Sequence, residues 1–231
     1  MARTFDVMTS VASSLLRAGT GFQVGRLGPR PARTLELYEF ENCPFCRKVR
    51  EALSILDLEV DVRPCPKNGL RFREAVKKRG GKAQFPYLVD PNTGTEMYES
   101  DDIVKYLFDR YGDGSVSLSL AVPLLRDVSS VLSGWPRAGY GSHYRPARRP
   151  DQALELYSFE ASPFSRLVRE ALCTLELPYR LHNVAKGSPH RRAFIERSGR
   201  MMVPYLVDPN TEAAMFESAD IVRYLEETYA L

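Results

Sequence analysis

The chain has 231 residues, 44% hydrophobic and 26% charged, a composition that suits one large globular domain or two small ones. Its 32 basic and 29 acidic residues leave a net charge of +3, and no basic block is interleaved with aromatics, so nucleic acid is not an expected partner. No apolar run approaches the roughly 18 residues of a transmembrane span. The four cysteines, Cys43, Cys46, Cys65 and Cys173, are too sparse for a disulfide-stapled secreted domain.

Residues 1–34 read as a leader. They hold five arginines, several serines and a single acid, Asp6, which suits an organellar transit peptide, chloroplast included. A competing reading is that the leader folds. "VASSLLRAG" from Val11 and "RPAR" at Arg30 to Arg33 have likenesses further on, "VSSVLSGW" from Val128 and "RPAR" at Arg145 to Arg148. Each would be a helix, a Gly-rich loop and an Arg/Pro arm.

Residues 35–112 carry a full set of elements. Leu35 to Phe40 alternates apolar and polar residues, as a strand does. Pro44 opens a helix at the position where its missing N–H costs nothing, with Val49, Leu53 and Leu56 on one face. "LEVDV" is a second strand, and "GLRFREAVKKRG" a helix ending at Gly80 and Gly81. "FPYLVD", "PNTG" and "TEMY" make an antiparallel hairpin, and "SDDIVKYLFDRYG" a final helix with Ser100 as its N-cap. The order is βαβαββα. Residues 113–153 form a connector with a helix. Residues 154–231 repeat the first unit: "LELY" returns at Leu154, "VREAL" at Val168, "LVDPNT" at Leu206, and "IVKYL" at Ile103 is answered by "IVRYL" at Ile221. Identical words in the same order mean duplication.

The chemistry lies in "ENCPFCRKVREAL", Glu41 to Leu53. Cys43 at a helix N-terminus meets unpaired N–H groups and the positive dipole end, which favour a thiolate. Cys46, three residues on, shares its face, and Arg47 adds positive charge near the turn. A zinc half-site would need two more ligands, and nearby only Cys65 is on offer, since all three histidines stand at or beyond His143. Inert structural cysteines are the remaining alternative. Cys65, between two prolines, reads as an exposed bystander, and Cys173 as a small core residue. In "EASPFSRLVREAL" both motif cysteines become serine, Ser162 and Ser165.

With "CPFC" at a strand-to-helix turn, "FP" before the third strand and "ES" before the last helix, each unit resembles a glutaredoxin. It resembles still more the thioredoxin-fold N-terminal domain of glutathione transferases, and the tandem arrangement is similar to plastid-targeted proteins of plants and algae. The resemblance implies an α/β protein of two tandem thioredoxin-like domains; the sequence departs from glutathione transferases in that a short connector and a second copy follow the first unit where their all-helical C-terminal domain is expected. It implies that Pro86 follows a cis bond and that the backbone of Phe85 pairs with the cysteinyl part of glutathione. Glu99 and Ser100 would hold the γ-glutamyl end. Val203, Pro204, Glu217 and Ser218 keep this frame in the second unit, while Asp101 becomes Ala219.

The function implied is glutathione-dependent thiol–disulfide exchange on protein disulfides or glutathionylated proteins. Cys43 would be the nucleophile and Cys46 or glutathione the resolving thiol, while the second domain would either be a redox-dead partner or bind glutathione with Ser162 hydrogen-bonded to its thiolate. No metal is needed for that cycle. The alternatives are a glutathione or iron–sulfur cluster binding module, a non-catalytic scaffold subunit of a larger protein assembly, and a glutathione transferase-like enzyme.

Overall fold

The computed structural model describes residues 6–11, 20–116, 120 and 139–231. The helices read from "VASSLLRAG" and "VSSVLSGW" fall almost wholly outside these residues. Within them the first half contains β1 (Leu35–Glu39), α1 (Pro44–Ile55), β2 (Val60–Pro64), α2 (Arg73–Gly80), β3 (Tyr87–Asp90), β4 (Thr95–Met97) and α3 (Ser100–Tyr111). The second contains β5 (Leu154–Ser158), α4 (Pro163–Thr174), β6 (Tyr179–Asn183), α5 (Arg191–Ser198), β7 (Tyr205–Asp208), β8 (Ala213–Phe216) and α6 (Ser218–Tyr229). Residues 6–11 are also helical.

All eight strands join one sheet in the order β4-β3-β1-β2-β6-β5-β7-β8. The order is a palindrome, because each half contributes the same four strands. β2 meets its own counterpart β6 antiparallel, with Asp61 opposite Arg180, Val60 opposite Leu181 and Val62 opposite Tyr179. Residues 60, 61 and 62 correspond to 179, 180 and 181, so the register is symmetric about the Asp61–Arg180 pair, as a local twofold axis requires. Joining the halves removes two strand edges that would otherwise lie open.

The helices sort by face. Leu35, Leu37, Val60, Val62 and Leu88 pack with α1 and α3, and Leu154, Leu156, Tyr179, Leu181 and Leu206 with α4 and α6, into one continuous core. On the other face, α2 and α5 each cover a separate small cluster, around Val76 and around Phe194.

The repeated words acquire local reasons. In "LVDPN" the Asp90 carboxylate accepts from Tyr106 at 2.7 Å and Tyr111 at 2.5 Å, and Asp208 accepts from Tyr224 and Tyr229 at the same two distances. Each aspartate thus ties its hairpin to the last helix of its half. Both α2 and α5 end on a glycine in the left-handed region, Gly81 and Gly199. The first of these helices starts at Arg73, later than "GLRF" implies. The segment before it is held instead by Glu176, which accepts from the N–H groups of Leu70, Arg71 and Phe72.

The two arms cross between halves. Residues 22–24 pair with Lys186 of the second half (Lys186 N–H to Phe22 O, Val24 N–H to Lys186 O), and residues 142–144 pair in the same way with Lys67 of the first. The arms then return. The Gly25 and Gly28 N–H groups donate to Ile55 and Tyr111 carbonyls, and those of Arg145 and Arg148 to Thr174 and Tyr229. Residues 25–28 are therefore the structural counterparts of 145–148. The two "RPAR" words are out of register with this equivalence, and their likeness does not mark matching positions.

Candidate functional site

Cys43 is the N-cap of α1: its Sγ accepts the Cys46 backbone N–H at 3.3 Å, and Pro44 follows at the first helical position. The Cys46 thiol also donates to Cys43. That bond is the largest influence holding the Cys43 thiol below its ordinary value; burial opposes it, and the N–H groups of Cys46 and Phe45 assist. Cys46 is pushed well above the usual thiol range by burial first, then by Cys43 and by the charge of Glu39. The two thiols are split in the direction that suits a nucleophile and a resolving partner. Both are buried, Cys43 at 4% exposure and Cys46 at 0%.

Cys65 is not an exposed loop residue. β2 runs on to Pro64, and the Cys65 N–H continues the sheet by donating to the Glu39 carbonyl at 2.6 Å. Its side chain is fully enclosed beside Tyr38, Val76 and Tyr87, and burial raises its thiol. Cys173 lies in the core as expected. Among the described residues no three His, Cys, Asp or Glu side chains gather as metal ligands.

The other candidates of the first half converge. Phe85–Pro86 is a cis bond, and Phe85 meets Phe40, just before the motif, edge to face at 6.3 Å. Gln84 donates to the Glu99 carboxylate at 2.6 Å, drawing this segment to the start of α3. Glu99, at φ 63°, occupies the N-cap position; Ser100 is the first helical residue rather than the cap.

In the second half Val203–Pro204 is also cis, Glu217 at φ 68° is the N-cap, and Ser218 follows it. Ser162 caps α4 as Cys43 caps α1, accepting from the Ser165 N–H at 3.2 Å and from the Ser165 hydroxyl at 2.9 Å. Helix 6–11 lies against this turn, with the Ser10 hydroxyl donating to the Pro163 carbonyl at 2.6 Å. The change from Asp101 to Ala219 has a partner. Lys48 sits 3.4 Å from Asp101, and its counterpart is Leu167, so an ion pair has been exchanged for two apolar residues. Leu167 and Ala219 now line a cleft of about 600 Å³ bounded by α4, α6, helix 6–11 and the arm around Tyr140.

Where the halves meet, sequence reasoning missed a buried charge cluster. Arg50 donates to Glu160 at 3.0 Å, and Arg169 donates to both carboxylate oxygens of Glu41, each at 3.0 Å. Arg169 also lies 3.0 Å from Glu160. Arg50 and Arg169 are counterparts, as are Glu41 and Glu160, so each half supplies one arginine and one glutamate to a symmetric quartet. Burial opposes the charge on Glu160, but Arg169, Arg50 and Arg47 outweigh it and bring its carboxyl down to about 2. Arg47 belongs here too, 3.3 Å from Glu51 and 3.7 Å from Glu160, rather than lending charge to the thiols. Ser54 and Asn183 complete the seam. The Ser54 hydroxyl accepts from the Glu160 N–H and donates to Asn183, which in turn donates to the Leu58 carbonyl. The signal was present in the sequence, since "E…PF.R.VREAL" recurs with every one of these charges.

Residues 37–115 and 156–231 each match the family described as glutathione S-transferase, N-terminal domain. Among curated proteins none matches the chain. A solved structure entitled "Leishmania TDR1 - a unique trimeric glutathione transferase" aligns at 15% identity over 84% of this chain and 68% of its own, with a TM-score of 0.29, too low to bear on the fold or the site.

Proposed function

The chain belongs to the family of glutathione S-transferase N-terminal domains, and we propose that its first half is a glutathione-dependent thiol–disulfide exchange site of glutaredoxin type. On this reading residues 35–112 and 154–231 are two thioredoxin-like domains fused through one sheet, the second a redox-dead mate of the first. Cys43 attacks a disulfide sulfur as the thiolate, one sulfur of the substrate leaves, and glutathione or Cys46 then displaces the other from Cys43. The backbone of Phe85 and the Glu99–Ser100 corner hold glutathione beside the motif.

The observation that carries this reading is the contrast between two identical turns. At one, the Cys46 thiol and backbone N–H both support a sulfur on Cys43. At the other, Ser162 and Ser165 satisfy each other beneath helix 6–11. Conjugation of an apolar electrophile is less well supported, because the large cleft adjoins the half whose motif turn carries serines in place of both cysteines.

The test is to incubate the reduced Cys46→Ser chain with glutathione disulfide and locate the adduct by mass spectrometry. One glutathione on Cys43 is expected. A chain left unmodified at Cys43 would overturn the assignment.

A further inference from the structure

Asp57 and Glu176 are counterparts, each just after the motif helix of its half and each in the left-handed region, at φ 52° and 51°. Their surroundings differ. Glu176 takes the N–H groups of Leu70, Arg71 and Phe72 from the other half, and the Arg71 guanidinium reaches the carbonyls of Glu176 and Ala147. For Asp57 the matching donors are withdrawn. Leu70 is answered by Pro189, which has no N–H. The His190 N–H donates to the Ser188 hydroxyl at 3.0 Å, and the Arg191 N–H to the Ser188 carbonyl at 3.3 Å. Asp57 is also one methylene shorter than Glu176, and the short ring of His190 stands where the first half has the long side chain of Arg71.

A cavity of about 280 Å³ lies at this place. It is lined by Arg30, Ala32 and Thr34 of the first arm, by Asp57 and Glu59, and by His190. The Asp57 side chain is 1% exposed, and among the described residues its Oδ1 meets no hydrogen-bond donor. Its Oδ2 lies 3.5 Å from His190 Nδ1, which has no hydrogen-bond partner among the described residues either. Arg30 does not supply the missing donor, because its guanidinium serves the carbonyls of Leu56, Asp57 and Tyr111. A buried carboxylate oxygen without a donor is costly, and each such group calls for an explanation.

We infer that this cavity is a binding site for a small guanidinium compound, which takes the place that the Arg71 side chain holds in the other half. The planar fork of such a ligand offers paired N–H donors to the Asp57 carboxylate. Its charge offsets two carboxylates, Asp57 and Glu59, against which the cavity sets only Arg30 and a histidine. The volume lies just under the range of drug-sized pockets and suits a ligand of few heavy atoms. Ala32 is exposed and His190 partly so, which gives the ligand a way in.

The electrostatics agree with the geometry. Burial pushes the Asp57 carboxyl up, with Glu59 adding to the rise, and outweighs the opposing Ser188 hydroxyl, His190 and Arg30. The carboxylate is therefore short of positive charge as it stands, and a bound cation stabilises its ionised form.

The test is isothermal titration of the full chain with ethylguanidinium at fixed ionic strength, which should show saturable binding of one molecule per chain. N-ethylurea has much the same shape but no charge, and should bind about tenfold or more weakly. Asp57→Asn should weaken ethylguanidinium binding by about tenfold or more. His190→Arg should remove it, because it supplies from within the guanidinium that Arg71 supplies in the first half. Since Arg71 occupies the matching position in a folded half, this variant judges the site even where Asp57→Asn fails to fold. Absence of saturable binding to the parent chain, binding left unchanged by either substitution, or equal binding of N-ethylurea would overturn the inference.

Discussion

Two pairs of residues differ in a way that contacts alone do not reveal. Cys43 and Cys46 share a turn, yet the hydrogen bonds run toward Cys43 and the burial falls on Cys46. Alkylation at mildly acidic pH should therefore label Cys43 first, as peptide mapping of partly labelled protein would show; equal labelling would contradict the assignment. Glu39 and Glu160 sit in one cluster but titrate in opposite directions. Because the folded chain raises Glu39 from 4.5 to about 7, its contribution to stability is full below about pH 4.5 and lost as pH climbs through about 7. Because it lowers Glu160 from 4.5 to about 2, that contribution is full above about pH 4.5 and lost as pH falls through about 2. The urea midpoint of Glu39→Gln relative to the parent should therefore move in the variant's favour between pH 5 and pH 8, and a constant difference would contradict this. Removing a charge outright is another matter. Arg50→Met strands Glu39 and Glu160 in the interior and should cost about 3–5 kcal/mol in urea unfolding.

At the scale of elements, the seam is held by strands, helices and arms together. Gly21 and Gly141 show how closely the arms approach. At φ +83° and +64°, a Cβ would lie 3.2 Å from the Glu160 Cβ and 2.9 Å from the Glu41 Cβ respectively. Gly141→Ala should destabilise the chain by about 1–3 kcal/mol, readable as a lower melting temperature, whereas Gly94→Ala, with nothing within 4 Å, isolates the cost of the positive φ alone. The elements themselves were legible because strand alternation, Pro44 and the terminal glycines are local signals. The site was half legible. The motif turn, the two cis prolines and the Glu-Ser corners stood in order in the sequence. Glu41, Arg50 and their counterparts recurred in the repeat but did not read as a buried cluster, because a charge in a turn or on an amphipathic helix reads as solvated until another element is known to cover it. Cys65 misled for the converse reason: flanking prolines suggest a loop, while hydrogen bonding to β1 keeps the segment in the sheet.

For the whole molecule, fusion chooses the partner. Asp61 faces Arg180 at the centre of the β2–β6 pairing, with side-chain bonds of 2.8 and 3.1 Å. Two copies of the first half paired in the same way would place Asp61 against Asp61, and two of the second Arg180 against Arg180. Like charges directly opposite are unfavourable, so the pairing within one chain is preferred. On the proposed function, only one motif need keep its sulfur once two like surfaces are joined. The second turn closes on its own hydroxyls, and the Lys48–Asp101 pair is replaced by apolar residues over a cleft. The most direct measurement is the initial rate of glutathione-dependent disulfide reduction by the full chain, compared with Cys43→Ser and Ser162→Ala. The division of labour predicts that Cys43→Ser abolishes the rate and Ser162→Ala leaves it nearly unchanged; retention of activity without Cys43, or its loss without the Ser162 hydroxyl, would contradict it.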